Sequence, residues 1–443
     1  MKIKLSDHFT YRRLLRFTLP TVVMMLFTSV YSIVDGLFVS NFVSTNALAS
    51  INIIYPLIQM IGAIGFMLGT GGSAEVARTF GEGDKRRAQE IFSLLVIAVA
   101  VLGVGFSAVC LYNIRPLCGL FGASALLMDD CVSYGAILLI GTPAFMLQSA
   151  FQTYYVMAEK PHTGLALTIA AGVTNIVFDY LFVCVFQWGI AGAAVATDLG
   201  YLVGGVIPLF YFAFPNRSRL RFVRPRWYWY ALLHSCANGS SEMFSNVSVA
   251  LITLLYNLQL MKLIGEDGVA AMSVIMYVSF IFIAVMLGFS LGAAPIISYH
   301  YGAQNHAELH SMFRKCFAIV LAASVVLTLV AEVFARPLVE VFIGSKPELV
   351  VFTAHAFRLY SISYLICGVN IFASAFFTAL CNGAISATIS TLRTLVLQAL
   401  MILALPVVFG LNGIWLAVTV AEAMTLLVSL WFVVRMKGRY HYA

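Results

Sequence analysis

Charge is what this sequence has least of. Only 10% of its 443 residues are Asp, Glu, Lys or Arg, and 61% are hydrophobic. Soluble domains carry about 25% charged residues, so the deficit excludes an ordinary globular enzyme and points to many membrane spans. Residues 36–74, 91–114, 132–158, 268–299, 359–392 and 394–421 hold no charge at all. A spanning helix needs about 20 apolar residues, so the longer runs contain one span and part of the next. Alternation is missing as well. A transmembrane β-barrel repeats polar and apolar residues over segments of about ten, and these runs do not.

Other absences narrow the chemistry. The eight cysteines (110, 118, 131, 184, 236, 316, 367 and 381) form no CxxC pair and mostly fall in spans, which argues against disulfides or a metal centre. The glycine-rich "GTGGSAEVARTFGEGDK" lacks the GxxxxGK[ST] of a phosphate loop. No nucleotide-binding domain follows the spans, so ATP drive is unsupported. No Ser/His/Asp or His/Asp cluster lies within a span; neither an enzyme nor a cofactor is expected. His306 and His310 have metal-ligand spacing but sit in a predicted loop with His300 nearby, and read as solvated histidines. Lys2, Lys4, Arg12, Arg13 and Arg16 precede about 25 apolar residues, longer than a signal-peptide core, so this segment reads as a retained first helix.

What is present organises into twelve candidate helices: 14–41, 48–77, 91–112, 131–157, 163–186, 190–214, 229–258, 268–298, 315–335, 352–379, 385–409 and 413–435. One set of alternate loops, with both ends of the chain, holds 20 Lys and Arg; the opposite set holds four, Arg115, Lys262, Arg336 and Lys346. Basic loops stay in the cytoplasm, so both termini are expected there, in a multi-pass plasma-membrane protein. The basic stretch "NRSRLRFVRPR" (216–226) and the net charge of +7 then need no nucleic acid; attraction to anionic lipid accounts for them. The sequons at Asn216, Asn238 and Asn246 fall in or near this linker and are expected to be silent.

The chain repeats itself. "RPL" occurs at 115–117 and at 336–338, an offset of 221. The same offset pairs Phe121 with Phe342, Gly81 with Gly302, Gly71 with Gly292 and Phe92 with Phe313. Later it drifts to 224, where "GI" at 189–190 matches 413–414. This predicts an N-terminal six-helix lobe over 1–214, a cytoplasmic linker over 215–228 and a C-terminal six-helix lobe over 229–443. Six is even, so both lobes enter from one side, a parallel-repeat plan in which transporters place their substrate site between the halves.

Polar residues that break the repeat are the candidates for function. Asp35 aligns with Tyr256, and Asp179 falls opposite "MIL" at 401–403. An ionisable group inside a span costs roughly 2.5–3.5 kcal/mol on insertion scales. The first half nevertheless carries Asp35, Asn175, Asp179, Thr197 and Asp198 in predicted helices. Asn175 and Asp179 are four apart, on one helical face. Carboxylate, amide and hydroxyl oxygens suit a hard cation, and two close carboxylates also suit a proton carrier. The bland alternative is a satisfied polar seam. Pro20 lies mid-span and removes a backbone hydrogen bond, which lets the first helix kink. The 17 Met, 34 Phe and 20 Tyr suit an adaptable apolar cavity. Glu242, Gln148, Gln152, Tyr154, Asn257 and Asn370 are candidates to add polarity to it.

Pro20 and Asp35, "GGSAEVARTFGEGDKRRA" (71–88), "AEKPHTG" (158–164), "NIVFD" (175–179), "GIAGAAVAT" (189–197) and "GAAPIISYHYGAQN" (292–305) together resemble the multidrug and toxic compound extrusion (MATE) family, over essentially the whole chain. The likeness runs to its prokaryotic branch of MepA-like and DinF-like exporters. It implies an all-α integral membrane protein: twelve transmembrane helices in two pseudo-symmetric six-helix lobes around a central cavity. It also implies a cation-coupling site at Asp35, Asn175, Asp179 and Thr197, with Asp198 secondary, binding Na+ or a proton. The implied activity is antiport of small amphipathic or cationic compounds by a monomer in the lipid bilayer. Another branch uses acids on helices 7 and 10 of the second lobe; here helix 7 offers Glu242, but helix 10 offers Asn370. A lipid-linked oligosaccharide flippase of the same superfamily is the alternative function. Such flippases favour a basic cavity, whereas only Arg358 and Arg393 are intramembrane here.

Overall fold

The computed structural model describes residues 3–42, 45–216, 218–343 and 347–442, with side chains for these except over 32–49. Among the described residues the chain is helical throughout, without a strand. The first half contains α1 (Tyr11–Phe42), α2 (Thr45–Gly81), α3 (Lys85–Tyr112), α4 (Ile114–Leu120), α5 (Met128–Met157), α6 (Pro161–Asp179) and α7 (Gly189–Ala213). The second contains α8 (Trp229–Leu263), α9 (Glu266–Gly302), α10 (His306–Val333), α11 (Ala335–Ile343), α12 (Pro347–Ser361), α13 (Tyr364–Ala379), α14 (Gly383–Thr391), α15 (Leu397–Phe409) and α16 (Leu411–Tyr440). Eleven helical stretches are long and apolar enough to cross a membrane, and α12 with α13, bent by 45° at a short break, supplies a twelfth.

Three local features depart from a plain reading of apolar runs. The span over 352–379 is broken. At the break Ser361 Oγ donates to Arg358 O at 2.9 Å and to Glu332 Oε1 at 2.8 Å, and such side-chain bonds compete with the helix ladder. Two spans carry a π turn, Tyr180–Val185 after α6 and Leu392–Val396 between α14 and α15. The repeated "RPL" motif is not loop at all: it lies on the short helices α4 and α11.

The repeat is visible as matching local chemistry. Asp84 caps α3 by accepting from Arg87 N at 3.0 Å, and Asn305, 221 residues on, caps α10 by accepting from Glu308 N at 3.1 Å. Each cap satisfies an otherwise orphaned N–H. Phe92 packs against Tyr154 of α5 and stacks on Phe222 of the linker. Its counterpart Phe313 packs against Phe376 of α13 and Tyr442 of the C-terminal tail. Each half therefore folds the segment after its last span back onto its own aromatic core.

Small residues let the halves meet. Gly71 of α2 lies against Ser235 and Gly239 of α8, and Gly292 of α9 lies against Thr18 of α1. These contacts are related by the repeat. A Cβ on Gly239 would collide with Met67 O, and Gly81 and Gly302 meet backbone to backbone where α2 crosses α9. All these positions lie toward the face that carries the linker and both chain ends. An arm before α1 ties the same face together. Leu5 N donates to Glu159 Oε1 at 2.8 Å in the first half, and Phe9 N donates to Glu308 Oε1 at 2.9 Å in the second. His8 Nδ1 is 2.6 Å from Glu308 Oε2, and Arg219 of the linker pairs with Glu159 at 2.9 Å.

Candidate functional site

The first-half polar residues sit on α6 and α7, which pack along each other. Asn175 is buried and Asp179 is wholly so. Asn175 Nδ2 donates to Thr197 Oγ1 at 3.4 Å, and Thr197 Oγ1 donates to Ala193 O at 3.0 Å. Asn175 Oδ1 is buried without a hydrogen-bond partner, an acceptor oxygen left for something else. The close fit follows from Gly200, whose missing Cβ would touch Ala171 O and Asn175 Cβ. Asp179 is the last residue of α6, where the helix opens into the π turn. At 1.5 Å per residue it lies about 27 Å along this span from the start of α6 at Pro161. π turns gather at functional positions because the wider turn frees backbone groups.

Helix α1 runs beside this seam, with Phe27 and Tyr31 against Gly172 of α6. Asp35 is on α1, but its side chain is outside the described residues. Pro20 is buried between two contacts with α9, Thr18 at Gly292 and Thr21–Val22 at Gly288.

Asp198 does not join Asn175 and Thr197. Adjacent helix positions point about 100° apart, and Asp198 lies against Gly141 of α5 while Thr197 faces α6. Its neighbour Tyr201 belongs to a group with Tyr31, Tyr55 and Tyr134, and Gln59 Nε2 donates to Tyr55 Oη at 2.8 Å. Sequence reasoning passed over these four tyrosines. Tyr31, four residues before Asp35, was the available signal.

The other cavity candidates separate. Tyr154 is a core residue: it is fully buried, with its hydroxyl donated to Leu68 O at 3.0 Å. Gln148 and Gln152 face a small pocket inside the first half, closed by Gly164, Thr168 and Gly204. Asn257 and Glu242 are half-buried on α8. Asn370 is wholly buried and donates to Glu422 O at 2.9 Å and to Glu422 Oε2 at 2.7 Å. It therefore serves a buried carboxylate rather than a cavity wall. Arg393 Nη1 lies 3.4 Å from Glu422 Oε1. The sequence signal for this pair was plain: Arg393 alone interrupts the charge-free stretch from 359, and Glu422 ends it.

The MatE family profile matches this chain twice, over residues 20–181 and 242–403. Multidrug export protein MepA of Staphylococcus haemolyticus is 19% identical over 434 residues, 97% of this chain and 94% of that protein. An FAD transporter of Shewanella oneidensis is 24% identical over 428 residues, 93% of this chain and 92% of that protein. A solved structure of MATE in complex with MaL6 superposes with a TM-score of 0.92 at 21% identity, covering 97% of both chains. The fold is thus that of MATE transporters, two pseudo-symmetric sets of spans.

Proposed function

This chain belongs to the MatE family of membrane transport proteins and is not an enzyme, and on that premise we propose that it is a multidrug exporter working by antiport. It moves amphipathic, often cationic compounds outward in exchange for Na+ or H+. Its lobes are 1–214 and 229–443, joined by the linker 215–228; both termini are cytoplasmic, the membrane is the plasma membrane and the working unit is a monomer. The coupling ion is held at Asp35, Asn175, Asp179 and Thr197; Asp198, on the α5 side of the same helix, is a secondary carboxylate outside that seam. The observation that carries this is the buried seam of α6 and α7: Asn175 Oδ1 lacks a partner beside a wholly buried Asp179. Buried acceptors of this kind persist where a cation completes them. Asp35 is four residues on from Tyr31, which packs on α6, so one helical face leads toward the seam.

The cavity lies between the lobes, and Glu242 with Asn257 gives it polarity that favours cationic substrates. A flavin nucleotide, suggested by the FAD transporter of Shewanella oneidensis, would need cationic partners for its phosphates. Arg393 already faces Glu422 at 3.4 Å, which disfavours that substrate, and the same shortage disfavours a flippase. Everted vesicles supplied with a fluorescent organic cation in the medium, given Na+ and pH gradients separately, test the reading. One gradient should drive accumulation. Accumulation under neither would remove antiport.

A further inference from the structure

The second half holds a charge cluster at mid-membrane depth that the coupling site does not use. Glu422 is the repeat counterpart of Asp198, by the offset of 224 that aligns the two "GI" pairs. Asn370 likewise corresponds to Gln148, by an offset of 222. Both halves thus place an acid on the last span and an amide on the fourth. Only the second half adds an arginine. Arg393 lies on the π turn Leu392–Val396, which packs against α8. Its side chain is 15% exposed and that of Glu422 is 8% exposed. Asn370 clamps Glu422 through both carboxylate and main chain. The same π turn packs against α8, which carries a second acid, Glu242.

Two carboxylates and one guanidinium leave the cluster one positive charge short when all are ionised. Arg393 is not saturated by Glu422: the contact is a single long one, and its Nε is buried without a partner. A guanidinium has five N–H donors in a rigid fork and can serve two acids at once. Glu422 is clamped by Asn370, whereas Glu242 is half-buried on α8.

Resting on the reading of Glu242 as the carboxylate that meets cationic substrates, we propose that Arg393 is a tethered cation shared by Glu422 and Glu242, and that a substrate cation engages Glu242 by displacing Arg393 onto Glu422. The resident guanidinium is an intramolecular competitor. It keeps the empty cavity from holding an unpaired buried charge, and it returns to Glu242 as substrate leaves, which favours release.

Opposite signs at the two ends of one ion pair distinguish this from a structural bridge. Binding of tetraphenylphosphonium to the purified full chain should tighten about tenfold in Arg393→Gln, because the competitor is gone, and weaken by a similar factor in Glu422→Gln, because Arg393 is then left to Glu242 alone. Arg393→Lys should stay near wild type. Arg393→Gln with Glu422→Gln removes both charges and guards against misfolding of the single variant; it should also bind tighter than wild type. A readout without substrate uses dicyclohexylcarbodiimide, which adds to uncharged buried carboxyls, with mass spectrometry of the Glu242 peptide. Modification should rise severalfold in Arg393→Gln and fall in Glu422→Gln. Opposite shifts in labelling without tetraphenylphosphonium binding would keep the shared arginine and retire the cationic-substrate reading. Shifts of the same sign in both variants, or none, would overturn the proposal.

Discussion

Adding one methyl group to the seam between the halves should unlatch it. In Gly239→Ala the new Cβ collides with Met67 O and comes within 3.0 Å of Gly71 N. Both neighbours are backbone, so no side chain can swing aside; α2 and α8 must separate. Overpacking of this kind costs about 1–3 kcal/mol, and it applies only while the halves are closed on the linker face. In the state open on that face the methyl meets no such wall, and alanine favours the helix by up to about 1 kcal/mol over glycine. The closed-to-open ratio should therefore fall by about fivefold to 150-fold, at 1.4 kcal/mol per decade. Thr18 reports on it, being only 1% exposed and packed against Gly292 at the same seam. In a chain freed of its native cysteines, Thr18→Cys should react with N-ethylmaleimide in proportion to the open population, faster by at least about fivefold when Gly239→Ala is present. Gly105→Ala is the control, because nothing lies within 4 Å of its added Cβ. An unchanged labelling rate in a folded Gly239→Ala protein would refute the steric latch and the two-state reasoning built on it.

Asp179→Asn and Asp35→Asn should each fold, bind tetraphenylphosphonium and fail to exchange it under an ion gradient; the double variant should be no worse than either single one, as expected of groups acting as a unit, and gradient-driven efflux at wild-type rate would demote both to packing residues. Glu308→Gln removes the charge that accepts from Phe9 N and meets His8; trypsin added to everted vesicles should then cut at Arg12 or Arg13 about tenfold faster, a loss of about 1.4 kcal/mol in the docked arm, and equal cutting rates would show that the arm is held elsewhere. For orientation, a cysteine at the exposed Ser124 should react with an impermeant thiol reagent from outside intact cells and one at Ser218 should not; the reverse would invert the direction of transport.

Membrane class, span number and the twofold repeat were legible in the sequence because each is set by one-dimensional quantities. Hydropathy over about 20 residues decides insertion, and an offset needs no coordinates. The α6 seam was legible for the same reason: Asn175 and Asp179 share a face by helical period alone. Asp198 was a different matter. Its neighbour in sequence, Thr197, faces α6, whereas Asp198 faces Gly141 of α5, and only the packing of α7 between two helices separates them. Tyr154 has the composition of a cavity residue, yet a carbonyl of α2 claims its hydroxyl. Arg393 stood out in the sequence as an intramembrane charge, but its partner Glu422 was passed over: 29 residues and a reversal of chain direction separate them. That they meet, with Asn370 between α13 and α16, follows from helix packing, because burying either charge is tolerable only once tertiary structure brings the other within reach.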